Sequence, residues 1–183
     1  MSKGKGSQGV RIFLCGLFYQ ALWFALVGTG GSKWCIAVLL ACSAAAVAQL
    51  YFLAKPLGKS LLFVGASTVI GIASDVLLSA MGVQALVRVY IPSPMTPVWM
   101  IGLWIVFSAF IRAGLDGFRG RYVMQFLMGF IFAPLAWFGG VRLGALEVDG
   151  MRGYVIVALV WGLLCLIIFR VSDLLQEKNE EIS

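Results

Sequence analysis

Apolar residues run through this chain in six long, nearly charge-free stretches, separated by short breaks of charge, glycine or proline. They cover residues 12–28, 34–54, 60–82, 98–113, 122–140 and 154–169. Each is close to the roughly 20 residues that a helix needs to cross the hydrocarbon core of a bilayer. None alternates between apolar and polar positions as barrel strands do. Hydrocarbon offers the backbone no hydrogen-bond partner, so such segments are expected to close their own bonds as α-helices. The pattern predicts an all-α fold, a polytopic membrane helix bundle of about six transmembrane helices.

Composition agrees. Hydrophobic residues make up 61% of the chain and charged residues 12%, where a soluble domain carries roughly a quarter charged. The charges that remain orient the bundle. Lys3, Lys5 and Arg11 precede the first stretch, Lys55 and Lys59 follow the second, Arg112, Arg119 and Arg121 follow the fourth, and Arg170 and Lys178 follow the sixth. The opposite side carries Lys33, Arg88, Arg142 and Arg152. Basic loops stay inside, so both termini are expected in the cytoplasm of a multi-pass protein of the bacterial inner membrane.

The chain divides into a Gly/Ser/Lys-rich tail, 1–10, expected to be disordered, a transmembrane domain, 11–170, and a short cytoplasmic C-terminal tail, 171–183. The basic start before an apolar run resembles a signal peptide, but Val27-Gly28-Thr29 is a poor cleavage site, and the first helix is expected to be retained. No internal repeat is evident.

Several chemistries are excluded. There is no histidine. Cys15, Cys35, Cys42 and Cys165 sit singly in apolar runs, without metal-ligand spacing. No phosphate loop, dinucleotide fingerprint or serine elbow occurs. No metal or cofactor is therefore expected. The net charge of +6 is spread between spans rather than gathered in a patch with aromatics, so nucleic acid is not an expected partner.

Asp75 is the most informative residue, well inside the third stretch. A carboxylate there costs at least ~2.5 kcal/mol on insertion scales, and intramembrane acids usually serve a function or hold a partner. Arg142, just past the fifth stretch, has the best depth to pair with it. Gln20, Gln49 and Gln125 are buried amides that need partners. Pro134 removes a backbone bond inside the fifth stretch and frees the carbonyl near Phe130, and Gly139-Gly140 permits a turn or re-entrant backbone. Asp75, Pro134, Trp137, Arg142 and Glu147 could together line an outward-facing pocket. The third stretch also carries Ser67, Thr68, Ser74 and Ser79, and small residues four apart (Ser67 and Gly71; Ala37, Ala41 and Ala45) allow close helix approach. In the third connection Pro92, Pro94 and Pro97 forbid a helix, and 84–91 is expected to lie in the membrane interface. Trp34, Trp99 and Trp137 fit an outer aromatic belt.

Four motifs carry a resemblance: Phe18-Tyr-Gln20-Ala-Leu-Trp23-Phe24, Gly71-x-x-x-Asp75-x-x-Leu, Pro97-Val-Trp99-Met-x-x-Leu-Trp104-x-x-Phe107 and Ala133-Pro134-Leu-Ala-Trp137-x-Gly139-Gly140-x-Arg142-Leu-Gly144-Ala. In these the chain resembles a domain-of-unknown-function family of small proteobacterial inner-membrane proteins, from about residue 10 to 171. Its members are often encoded near enzymes resembling cyclopropane-fatty-acid synthases. The resemblance implies a role around membrane lipids or the envelope, and it supplies no catalytic residues.

Three functions stay open: a lipid-associated accessory protein or membrane enzyme with a pocket lined by Asp75, Gln20, Trp104 and Arg142; a small proton- or cation-coupled transporter or channel component; and a non-catalytic scaffold. Membrane lipids, a second copy or a membrane partner protein are the expected partners. Whether the protein is an enzyme is left undecided.

Overall fold

A computed structural model of the protein describes residues 3–90 and 96–177, with side-chain detail for 8–90 and 96–175. Pro92 and Pro94 lie outside the described residues. Six helices form: α1 (Lys3–Thr29), α2 (Cys35–Leu53), α3 (Leu57–Ala80), α4 (Val98–Gly114), α5 (Tyr122–Arg142) and α6 (Gly150–Glu177). A 3-10 turn, Asp116–Phe118, links α4 to α5. Every apolar stretch is one helix. Five of them are long and apolar enough to cross a membrane. The other, α4, has 17 residues, the short limit for a span.

One end differs from expectation. The helix begins at Lys3, so 3–10 extends α1 instead of forming a disordered tail; once a helix is nucleated, each further residue adds a bond at little cost. The far end of α6 carries residues 171–177 as helix.

Helix α4 is the centre. It packs on α1, α2 and α3, while α5 pairs with α6 and this pair docks through α6 against α3. Arginines tie the helix ends. Arg11 donates from Nε to the Ala113 carbonyl at 2.7 Å and from Nη2 to the Leu53 carbonyl at 3.0 Å. It thereby satisfies C-terminal carbonyls of both α4 and α2 and places positive charge at the negative ends of their dipoles. Arg88 does the same for α1, donating to the Val27 and Gly28 carbonyls, each at 3.2 Å.

The α3–α4 and α5–α6 connections hold a feature that the hydrophobic pattern does not announce. Helices α3 and α5 end alike. Gly82 and Gly144 adopt φ +68° and +67°, a region glycine enters without a Cβ penalty. In each case the next amide reaches back five residues, Val83 N–H to the Leu78 carbonyl and Ala145 N–H to the Gly140 carbonyl, 3.0 and 2.9 Å, closing the helix in a Schellman turn. Two residues after each glycine a short strand begins. These strands, β1 (Gln84–Leu86) and β2 (Leu146–Val148), pair antiparallel, with Gln84 opposite Val148 and Leu86 opposite Leu146. The α3–β1 and α5–β2 units are therefore related by a local pseudo-two-fold in which Gln84 corresponds to Leu146, and both are buried. Residues 84–88 of the stretch expected to lie in the interface are folded onto the helix ends through this pairing. Gly139 and Gly140 form no turn; α5 continues through them, and through Pro134, to Arg142.

Candidate functional site

Asp75 lies on the face of α3 that meets α4, fully enclosed. What lets α4 approach so closely is Gly71, one turn away: a β-carbon there would collide with the Trp104 ring. The indole consequently lies flat on α3, and its Nε1–H donates to Asp75 Oδ2 at 2.6 Å. Gln84, at the start of β1, donates from Nε2 to Asp75 Oδ1 at 3.4 Å and to the Asp75 backbone carbonyl at 3.3 Å. The other end of that amide accepts from Trp137 Nε1 of α5 at 2.6 Å. One chain of bonds, Trp137 to Gln84 to Asp75 with Trp104 closing it, thus joins α3, α4, α5 and β1. Fixed neutral donors surround the carboxylate, and no cation is hydrogen-bonded to it among the described residues. In a low-dielectric interior such bonds are stronger than in water, and leaving one unmade costs correspondingly more.

The pseudo-two-fold gives this arrangement a simple form. Asp75 precedes Gly82 by seven residues, and Trp137 precedes Gly144 by seven. The two occupy corresponding positions, and both bond the one polar residue of the strand pair that faces inward, Gln84.

An aromatic wall backs the cluster. Trp104 stacks on Trp161 of α6, with centroids 4.7 Å apart and planes at 16°. Trp137 and Phe107 meet Trp161 edge-on at 5.1 and 5.4 Å. On the far side of this wall is a cleft of about 860 Å³. Helices α1 and α4 supply one side of it, and α5 and α6 the other. It exists because α4 packs mainly on α1, α2 and α3, and α5 mainly on α6. The two sides approach at Trp23 and Gly139, where a β-carbon on the glycine would sit 3.4 Å from the indole. The lining is almost wholly apolar: Phe107, Phe110, Met128, Phe132, Trp137 and Trp161 are typical. Gln20 is its polar edge on α1, and Arg142 stands at one end.

The chain matches, over residues 13–167, a family described as a protein of unknown function, DUF2878. It belongs to that family. No curated protein and no solved structure matches it.

In this DUF2878 protein the expected site residues separate into two groups. Asp75, Trp104 and Trp137 come together. Arg142 does not join them: it is exposed, with its guanidinium 5.2 Å from the Phe138 ring centre, because α5 continues to Arg142 and turns its side chain away from α3. Glu147 is exposed on β2, opposite Ala85. Gln20 faces the cleft and Pro134 is half-buried in α5, neither bonded to Asp75 among the described residues. Asp75, Pro134, Trp137, Arg142 and Glu147 do not form one outward-facing pocket. Trp99 and Trp137 are likewise not belt residues. Trp99 is buried and donates to the Arg88 carbonyl at 2.6 Å, whereas Trp34 is exposed.

Gln84 escaped the sequence reading, as did Trp161. The one available signal for Gln84 was its spacing: it follows Gly82 by the same two residues that separate Leu146 from Gly144.

Proposed function

We propose that this is a multi-pass protein of the bacterial inner membrane, with both ends cytoplasmic, that binds the acyl chain of a membrane lipid in the cleft between α1 and α5. The cleft carries the proposal. It falls in the size range of small-molecule sites, its lining is apolar over its length, and the medium around helices of this hydropathy is lipid. On α5 the lining runs from Met124 to Arg142, about 27 Å of helix at ~1.5 Å per residue, comparable to the hydrocarbon thickness of a bilayer. Arg142 at one end offers a cation to a headgroup phosphate. The sidedness is supported by the surplus of lysine and arginine on the connections that hold the termini.

Asp75 lies behind the aromatic wall, outside the cleft lining, so its role in this reading is to hold Trp104 and Gln84, and through Gln84 Trp137, in place. The arrangement supports an accessory or carrier role around lipids.

The test is lipid retention. The full chain is extracted in a mild detergent, and the lipid that stays bound is measured by native mass spectrometry. Ala136→Trp, which fills the cleft from α5, should abolish retention. Arg142→Gln should change which headgroups are retained while leaving the amount similar. Equal lipid content and composition in wild type and Ala136→Trp would refute the reading.

A further inference from the structure

The apolar cleft carries two polar side chains at mid-depth. Gln20 stands near the middle of Gln8–Thr29, the apolar part of α1, with its side chain exposed on the cleft. Its neighbour Tyr19 lines the same cleft. The Tyr19 ring is held in place, stacked on Phe110 at 5.2 Å and tilted against Phe107 at 5.9 Å. Neither the Gln20 amide nor the Tyr19 hydroxyl has a hydrogen-bond partner among the described residues. Hydrocarbon supplies none, so an amide left bare at this depth is strongly disfavoured. Other polar side chains of the helices are satisfied on carbonyls: Thr29 on Ala25 at 2.7 Å, Ser74 on Gly71 at 2.7 Å and Gln125 on Phe118 at 2.8 Å. The hydroxyls of Ser67, Thr68 and Ser108 also lack partners, but these residues are buried outside the cleft lining. Gln20 and Tyr19 differ in bordering a space that a ligand can enter.

Depth decides what a ligand offers them. Arg11 joins the start of α1 to the end of α4, Arg112 joins the end of α4 to the start of α3, and the strand pair joins the ends of α3 and α5. Helices α1 and α5 therefore run in the same direction. Trp23 meets Gly139, which sets these two residues level. Gln20 lies three residues before Trp23, and Arg142 three residues after Gly139. Their levels are thus about 9 Å apart along the cleft, at ~1.5 Å per residue. On α5 the level of Gln20 is that of Ala136. From there the lining continues to Met124, about 18 Å of helix. That is close to the depth of one leaflet, roughly half of the ~30 Å hydrocarbon core.

On the reading that the cleft binds a lipid, we infer that this lipid is a glycerol ester whose carbonyl is recognised by Gln20 and Tyr19. Its phosphate meets Arg142, its ester carbonyl accepts from the Gln20 amide and the Tyr19 hydroxyl, and its acyl chain fills the apolar remainder. The chemistry matches. Both side chains are donors, and a carbonyl is an acceptor that brings no charge into the hydrocarbon. Arg142 is the one charged residue of the lining among the described residues, so nothing at mid-depth calls for an ion. The ester groups are also the polar part of a phospholipid that follows the phosphate inward. An ether-linked lipid has a methylene in place of that carbonyl and lacks the acceptor.

The experiment compares two lipids that differ only in that carbonyl. The full chain in mild detergent is incubated with equal amounts of a diester phosphatidylglycerol and its diether analogue, and native mass spectrometry counts each. Wild type should retain the diester about tenfold over the diether, the discrimination expected of two hydrogen bonds away from water. Gln20→Leu combined with Tyr19→Phe, which keeps side-chain size, should retain the same total lipid with the preference gone. Equal retention of the two lipids by wild type, or a preference that survives the double substitution, would overturn the proposal. So would a wild-type dimer that Gln20→Leu separates, because the amide would then serve a second copy. Wild type that retains neither lipid would overturn the cleft reading itself, and this proposal with it.

Discussion

The Trp137 indole donates to Gln84 Oε1 at 2.6 Å, and this bond decides which way the Gln84 amide faces. With its oxygen committed to Trp137, its nitrogen must point at Asp75, as observed. A tryptophan on α5 thus orients a donor toward a carboxylate on α3.

Replacing Gln84 tests that relationship. Gln84→Leu makes β1 match its counterpart Leu146 in β2, so the backbone pairing should survive. It strips Trp137 Nε1 of its acceptor and Asp75 of a donor. A loss of about 1–3 kcal/mol is expected for buried polar groups left unpaired. Thermal unfolding in detergent should register the drop, and a variant as stable as wild type would show that the network contributes little.

Gly71→Ala should be disproportionately harmful for one methyl group. The added carbon meets the Trp104 ring, which can escape only by leaving Asp75. Gly65→Ala serves as the control, because a β-carbon there meets nothing within 4 Å and alanine is the better helix former by about 1 kcal/mol. The two substitutions should move the melting temperature in opposite directions, Gly71→Ala down and Gly65→Ala up or unchanged.

Arg11→Ala removes the group that satisfies carbonyls at the ends of both α2 and α4. Charge-assisted bonds of this kind contribute about 1.5–3 kcal/mol each, less at the partly exposed Leu53 carbonyl. Stability should fall. Limited proteolysis should begin at the α2–α3 and α4–α5 connections, which Arg11 holds together. If Arg11→Lys restored wild-type resistance, the fixed fork of the guanidinium would be irrelevant to the clamp.

Arg142→Ala should behave differently. Its one described contact is over the exposed Phe138 ring, and such cation–π pairs contribute about 0.5–1 kcal/mol at exposed sites. Unfolding should be nearly unaffected. A large destabilisation would mean that Arg142 supports the fold instead of waiting for a headgroup.

The sequence by itself determined the helices. Hydrophobic runs act locally: each must become a helix wherever it sits in a bilayer, so the six elements and the family could be read from the chain alone, although α1 starts nine residues before its apolar stretch and α6 ends eight residues after its own. It also singled out Asp75, because a carboxylate in an apolar run is conspicuous without knowing its neighbours. Tertiary structure decided what Asp75 meets. Its partners Gln84 and Trp104 lie 9 and 29 residues away, and Trp137 a further 53 beyond Gln84. Which of the candidate polar residues converge depends on which helix faces meet, and that is set by Gly71 admitting a flat indole and by the pairing of two three-residue strands. Depth along the membrane made Arg142 the natural partner for Asp75. Rotation about the helix axis, which the sequence leaves undetermined, turned it outward, and the strand pairing brought Gln84 in.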